Sequence, residues 1–163
     1  MEKYNWKKLS SHHPYPVVSI IAHDAKFRFP IMFRSDKVRS AKLRWSLPTG
    51  LCDSGVAFHG QVERELYEEL GLTAIPHSIV LNDVYDSIID GYHWLMLCLR
   101  AEVETLDCLV NKEPEKHSDL QIIDPSLHDM ERVKALISPI DDYQKAEILE
   151  FVLEARKTLG LAA

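Results

Sequence analysis

Residues 50–72 read GLCDSGVAFHGQVERELYEELGL, and this stretch carries most of the information in the chain. It predicts a helix over residues 56–70, closed by Gly71 at the position where a left-handed backbone usually ends a helix. Projected at about 100° per residue, Phe58, Val62, Leu66 and Leu70 form an apolar arc. Glu69 falls inside that arc, and Glu65 sits at its edge one turn earlier. An ionised carboxylate on a buried face is costly unless it is paired or binds a metal. Glu65 and Glu69 are i,i+4 neighbours and converge on one patch, while Arg64 and Glu68 can pair beside them. A solvated charged helix is the plain reading of such a segment. Against it stand a preceding strand, a glycine turn, and carboxylates on the wrong side for solvation.

The flanking sequence supplies a sheet for this helix. PVVSIIAH (16–23) is branched and apolar, and FRFPIMF (27–33) puts Phe27, Phe29, Ile31 and Phe33 on one face. Pro30 makes that second strand an edge or a bulged one. LRWSLPTG (43–50) predicts a short strand ending in a turn. Two further strands, near 79–88 and 92–103, are joined by an Asp90-Gly91 turn. A polar loop (105–118) leads to a short strand at LQIID (120–124), then to a short helix in HDMERVKALI (128–137). The last helix starts near Asp141 or Asp142, carries Ile148, Leu149, Val152 and Leu159 at helical spacing, and ends at Gly160. Residues 1–13 read as a polar arm containing Trp6, leaving 14–163 as one domain. The class expected is α/β, with a mixed sheet packed between helices.

Composition narrows the functional classes. The 163 residues suit one domain, and 46% apolar with 27% charged residues is ordinary globular composition. The apolar runs are far shorter than the ~20 residues that span a bilayer, so no membrane is expected. The start, MEKYNWKKLSSHHP, offers no apolar stretch for a secretory signal. Cys52, Cys98 and Cys108 leave an odd thiol and no CxxC spacing, which favours a reducing cytoplasm over a disulfide framework or zinc site. A net charge of −6 has the wrong sign for holding a nucleic-acid polymer.

The 50–72 stretch resembles the Nudix box. That pattern is Gly, five residues, Glu, seven residues, then Arg-Glu-apolar-any-Glu-Glu-any-Gly-apolar. Gly50 opens it, and Arg64, Glu65, Leu66, Glu68, Glu69, Gly71 and Leu72 fill its second half without a gap. The order of elements over roughly 14–158 is similar to the family's α/β/α sandwich. Two positions depart from the pattern: Val56 stands where the box has its first glutamate, and Thr49 replaces the glycine usual before Gly50. The second departure keeps a backbone carbonyl that the family presents to its metal. The first removes a carboxylate.

The resemblance implies magnesium-dependent hydrolysis of a nucleoside triphosphate or other nucleoside diphosphate derivative, by water attack on phosphorus. Manganese is the alternative cation, and a small nucleotide the expected partner. An acidic protein can hold a polyphosphate by placing divalent cations between two sets of negative charge. By the same resemblance Glu65 and Glu69 are primary ligands, Glu68 is a ligand or the partner of Arg64, and the Thr49 carbonyl completes the inner shell. NKEPEKHSDLQII (111–123) is similar to a segment of the MutT-type and thiopurine-nucleotide-hydrolysing branches, where a glutamate precedes a strand-opening tryptophan by five residues. Leu120 takes the tryptophan's place, and the count gives Glu115 as further ligand or base, ahead of Glu113. Arg34 is a candidate for phosphate, and Tyr92 and His93 for the base, with Trp94 read as core more readily than as contact. His59 reads as helix surface, and Cys52 lacks a base that would make it a nucleophile. The alternatives are a catalytically weakened nucleotide-binding module of the same fold, marked by Val56, and an interaction protein using the aromatic N-terminal arm. A homodimer is left open.

Overall fold

A continuous apolar strand needs a layer against each of its faces. Tyr15–His23 (β1) is such a strand: Val17 to Ala22 are all buried. In the computed structural model, which describes residues 14–162, it is followed by Phe29–Arg34 (β2), Trp45–Ser46 (β3), Thr49–Leu51 (β4) and the helix Phe58–Leu70 (α1). Val80–Ile89 (β5), Tyr92–Glu102 (β6) and His117–Ile123 (β7) come next, then Met130–Leu136 (α2) and Asp142–Thr158 (α3). The polar arm expected over residues 1–13 lies outside the described residues.

The strands form two sheets. A four-stranded one has the order β4-β1-β6-β5, and a three-stranded one the order β3-β2-β7. The larger is mixed, because β1 runs parallel to β6 while its other pairings are antiparallel. The β5–β6 hairpin closes at Asp90 and Gly91, with φ of 53° and 81°, the positive values that a two-residue turn of this kind requires. Alternation along β1 divides the core. Val18, Ile20 and Ala22 pack with Val62, Leu66 and Leu70 of α1, whereas Ile21 packs with Ile148, Phe151 and Val152 of α3. Helices therefore cover opposite faces, giving the expected α/β/α sandwich. No helix among the described residues is long and apolar enough to cross a membrane.

Three local expectations are corrected. Strand β2 is central in its sheet and not an edge, although β3 pairs with Met32 and Phe33 alone and Pro30 has a partner only on the β7 side, Ile122. The irregularity in β2 falls between Phe33 and Arg34, beyond the proline. Phe58, assigned to the apolar arc of α1, opens the helix and is 44% exposed, because the core begins a turn later at Val62. Strand β7 begins at His117, three residues before the LQIID stretch, which draws the preceding loop toward α1.

Candidate active site

Helix α1 presents its carboxylates to the start of β4. A Cβ at Gly50 would stand 1.9 Å from Cδ of Glu65, so glycine alone lets this carboxylate lie against the strand. Gln61 Nε2 donates to Glu65 Oε1 at 2.7 Å, and Gln61 Oε1 in turn accepts the backbone N–H of Asp53 at 3.2 Å. Arg64 donates to Asp53 at 2.5 Å and reaches Glu65 at 3.4 Å. The expected Arg64–Glu68 pair is thus replaced by one to the box loop, since Asp53 folds back over the helix start. Glu68 is exposed at the rim of a cavity of about 680 Å³ that also meets Thr49, Gly50, Glu65 and Glu69.

One turn further on, Glu69 is 5% exposed, and its Oε2 has no hydrogen-bond partner among the described residues. Glu113 and His117 close in from the loop before β7. One donor atom from each of Glu69, Glu113 and His117 lies within 4.8 Å of the others, and His117 Nε2 stands 4.0 Å from Glu69 Oε1. The backbone fixes this meeting. Lys112 N–H donates to the Glu69 carbonyl at 2.9 Å, and His117 N–H to the Glu113 carbonyl at 3.0 Å. Asn111 Nδ2 donates to the His117 carbonyl at 2.7 Å.

Burial and crowding set the protonation here. Burial pushes Glu65 up to about 7, against the opposing charge of Arg64. Burial, then Glu65 and Glu113, hold Glu69 well above the usual carboxylate range, with Arg34 and a backbone bond from Thr49 acting against them. Burial, then Arg34 and Lys116, push His117 down to about 4, so its ring is neutral at pH 7 and free to ligate. Burial pushes the Cys52 thiol up to about 11, in keeping with a non-nucleophilic role.

Of the residues proposed from sequence, Arg34, Thr49, Arg64, Glu65, Glu68 and Glu69 line this cavity. Arg34 spends two guanidinium N–H groups on the Ser40 carbonyl, at 3.3 and 3.0 Å. Glu115 is exposed and does not join the Glu69 group; its carbonyl instead accepts the Ser35 hydroxyl at 2.7 Å. Tyr92 and His93 do not line the cavity either. Tyr92 packs on Trp94 with ring centroids 5.6 Å apart, and exposed His93 bonds Asp86 across the hairpin. Their strand neighbours Trp94 and Met96 form the apolar wall in their place. His117 and Gln61 escape the sequence reading, and Asp53 enters it as an acidic loop position without a role. The i,i+4 spacing of Glu113 and His117 was the one available signal for the first.

No protein-family model matches the chain, and no curated protein matches it. Solved structures do. The MutT protein from Methanosarcina mazei Go1 is 17% identical with a TM-score of 0.63, over 91% of this chain and 97% of that one. A MutT NUDIX hydrolase from Burkholderia pseudomallei is 22% identical with a TM-score of 0.66, over 86% and 98%. A bifunctional NMN adenylyltransferase/ADP ribose pyrophosphatase from Francisella tularensis, complexed with AMP and a manganese ion, is 15% identical with a TM-score of 0.66, over 88% of this chain and 42% of that one. The chain has the Nudix fold that the 50–72 stretch implied.

Proposed function

We propose that this Nudix-fold chain is a divalent-cation-dependent hydrolase, cleaving a phosphoanhydride bond in a nucleoside triphosphate or another nucleoside diphosphate derivative. The observation that carries the reading is Glu69: a buried carboxylate with an unpartnered oxygen, crowded by Glu65 and Glu113. Such a group fits a cation better than it fits an empty core. Glu65 and Glu69 would hold magnesium or manganese with Glu113, and Glu68 and the Thr49 carbonyl extend the set toward the cavity. A divalent ion bound there supplies Lewis acidity to phosphoryl oxygens and acidifies a water.

The remaining steps belong to the chain. Gln61 and Arg64 orient Glu65, and Asp53 anchors Arg64. Arg34 and Lys116 bring positive charge to the cavity, suited to phosphates. Val17, Trp94 and Met96 give a flat apolar wall suited to a base. The Francisella tularensis neighbour, with its AMP and manganese, supports this class of ligand. Free thiols at Cys52, Cys98 and Cys108 suit the reducing cytoplasm. Val56, in place of the box's first glutamate, favours a second reading: a binding module with weak turnover.

A nucleotide screen with added magnesium or manganese, run in oxygen-labelled water, tests the proposal. Label in a phosphate-containing product supports it, whereas label on the sugar contradicts attack at phosphorus. Nucleotide-induced thermal stabilisation without turnover would select the binding module.

A further inference from the structure

We propose that His117 is a nitrogen ligand to the cation held by Glu69 and Glu113, so that this site prefers manganese or a later first-row ion to magnesium. The inference rests on the hydrolase reading above and adds His117 to the all-oxygen ligand set given there. The geometry is that of a gap between donors. At 4.0 Å, His117 Nε2 and Glu69 Oε1 are too far apart for a hydrogen bond. A first-row cation bonds imidazole nitrogen and carboxylate oxygen at about 2.0–2.2 Å, so two such donors span at most about 4.4 Å across it. The observed separation fits inside that span.

Two orphaned atoms point the same way. His117 is 1% exposed and Glu69 is 5% exposed, yet His117 Nδ1 and Glu69 Oε2 have no hydrogen-bond partner among the described residues. A histidine buried for packing normally satisfies its ring nitrogens, and a buried glutamate normally finds a donor. These orphans belong to the same two side chains whose Nε2 and Oε1 stand 4.0 Å apart, so neither residue is satisfied by the protein alone. The three side chains are also fixed in advance: the 113–117 turn carries its own N–H···O bond, and Lys112 N–H ties that loop to the carbonyl of Glu69. Lys116 occupies Glu113 Oε1 at 2.6 Å and is half exposed, so it can swing into solvent when a cation takes that oxygen. Imidazole discriminates among metals. Magnesium takes oxygen ligands and dehydrates reluctantly, whereas manganese and the ions after it accept nitrogen with rising affinity.

The test uses the full chain stripped with chelator and titrated with Mn²⁺. Continuous-wave EPR counts the bound ion, and electron spin-echo modulation reads directly coordinated nitrogen. The expected result is a ¹⁴N modulation in the unaltered protein that disappears in His117→Ala, with manganese bound at least about tenfold more weakly. The exposed-histidine control His59→Ala keeps the modulation. Should His117→Ala misfold, ¹⁵N-histidine labelling of the unaltered chain decides, since the modulation must then change to the ¹⁵N form. Manganese bound without nitrogen modulation, or modulation that survives in folded His117→Ala, overturns the inference and leaves the hydrolase reading standing. Failure to bind manganese or magnesium at all overturns both.

Discussion

Two glutamates are almost wholly buried among the described residues, and they keep opposite company. Glu147, 1% exposed on α3, accepts a hydrogen bond from Asn82 at 2.9 Å on Oε1, which lies 3.8 Å from Nε of Arg100; its Oε2, like that of Glu69, has no hydrogen-bond partner among the described residues. Arg100 is shared with Glu154 at 2.5 Å and stacks over Phe151 at 5.3 Å. Glu69, on α1, is crowded instead by Glu65, Glu113 and a neutral histidine. Burial raises both carboxyls, but Arg100 pulls Glu147 back down, while near Glu69 the two largest influences after burial push the same way. The difference separates a structural carboxylate, whose cation is part of the chain, from one whose cation comes from solution.

The largest effect follows from breaking the second arrangement. Glu69→Gln is expected to lower metal-dependent hydrolysis by at least about a hundredfold. It should also raise the melting temperature of the metal-free protein near pH 7, because glutamine removes the cost of taking up a proton on folding to keep a buried carboxyl neutral. Assays in saturating metal and thermal unfolding with chelator check the two halves. Breaking the first arrangement should do the reverse. Arg100→Met leaves Glu147 buried without its counter-charge and costs about 3–5 kcal/mol in denaturant unfolding. Added metal should not restore that loss, and turnover per folded molecule should hold.

A smaller effect sharpens the cluster's membership. Glu113→Gln is expected to reduce the rate about tenfold and to raise the metal concentration required, whereas Glu115→Gln should change either by less than about twofold. The reverse ranking would return the role to Glu115. The smallest effect concerns the box departure. Val56 turns toward Gly60, where its Cγ1 would lie 3.5 Å from an added Cβ, and it does not line the cavity. Val56→Glu should therefore move the midpoint of metal activation by less than about threefold, or roughly 0.6 kcal/mol. A tenfold shift would put position 56 beside the cation.

The parts legible in the sequence are those governed by a period. Helical spacing alone put Glu69 in the apolar arc and Glu65 at its edge, and both positions hold in three dimensions. Strand alternation put Phe29, Ile31 and Phe33 on one face, and all three meet the α3 side of the core; Phe27 meets it too, but from the turn before β2, where its φ is 61°. What escaped depends on loops and on where strands begin. Counting back from Leu120 selected Glu115, but β7 starts at His117, and that turn carries Glu113 toward α1. Tyr92 and His93 were chosen by residue type, yet the β5–β6 turn leaves them near the hairpin end and brings Trp94 and Met96 to the cavity. The partner of Arg64 was sought on the helix, where spacing is readable, and was found in the loop at Asp53, where it is not.

The central claim is that Glu65 and Glu69 carry protons which a cation displaces. Burial lifts Glu65 from its ordinary 4.5 to about 7, and Glu69 lies well above that ordinary value. The folded, metal-free protein therefore binds more protons than the unfolded chain between these limits. The Glu65 contribution to stability is full below about 4.5 and is lost as pH rises toward 7. Binding a metal requires the ionised ligands and releases those protons. Calorimetric titration of Mn²⁺ into chelator-stripped protein at pH 6, in buffers of different ionisation enthalpy, measures that release directly. The result predicted is about one to two protons per bound cation, fewer as pH rises through 7, and fewer in Glu69→Gln. Binding with no proton release at pH 6, or release unchanged in Glu69→Gln, would contradict the account.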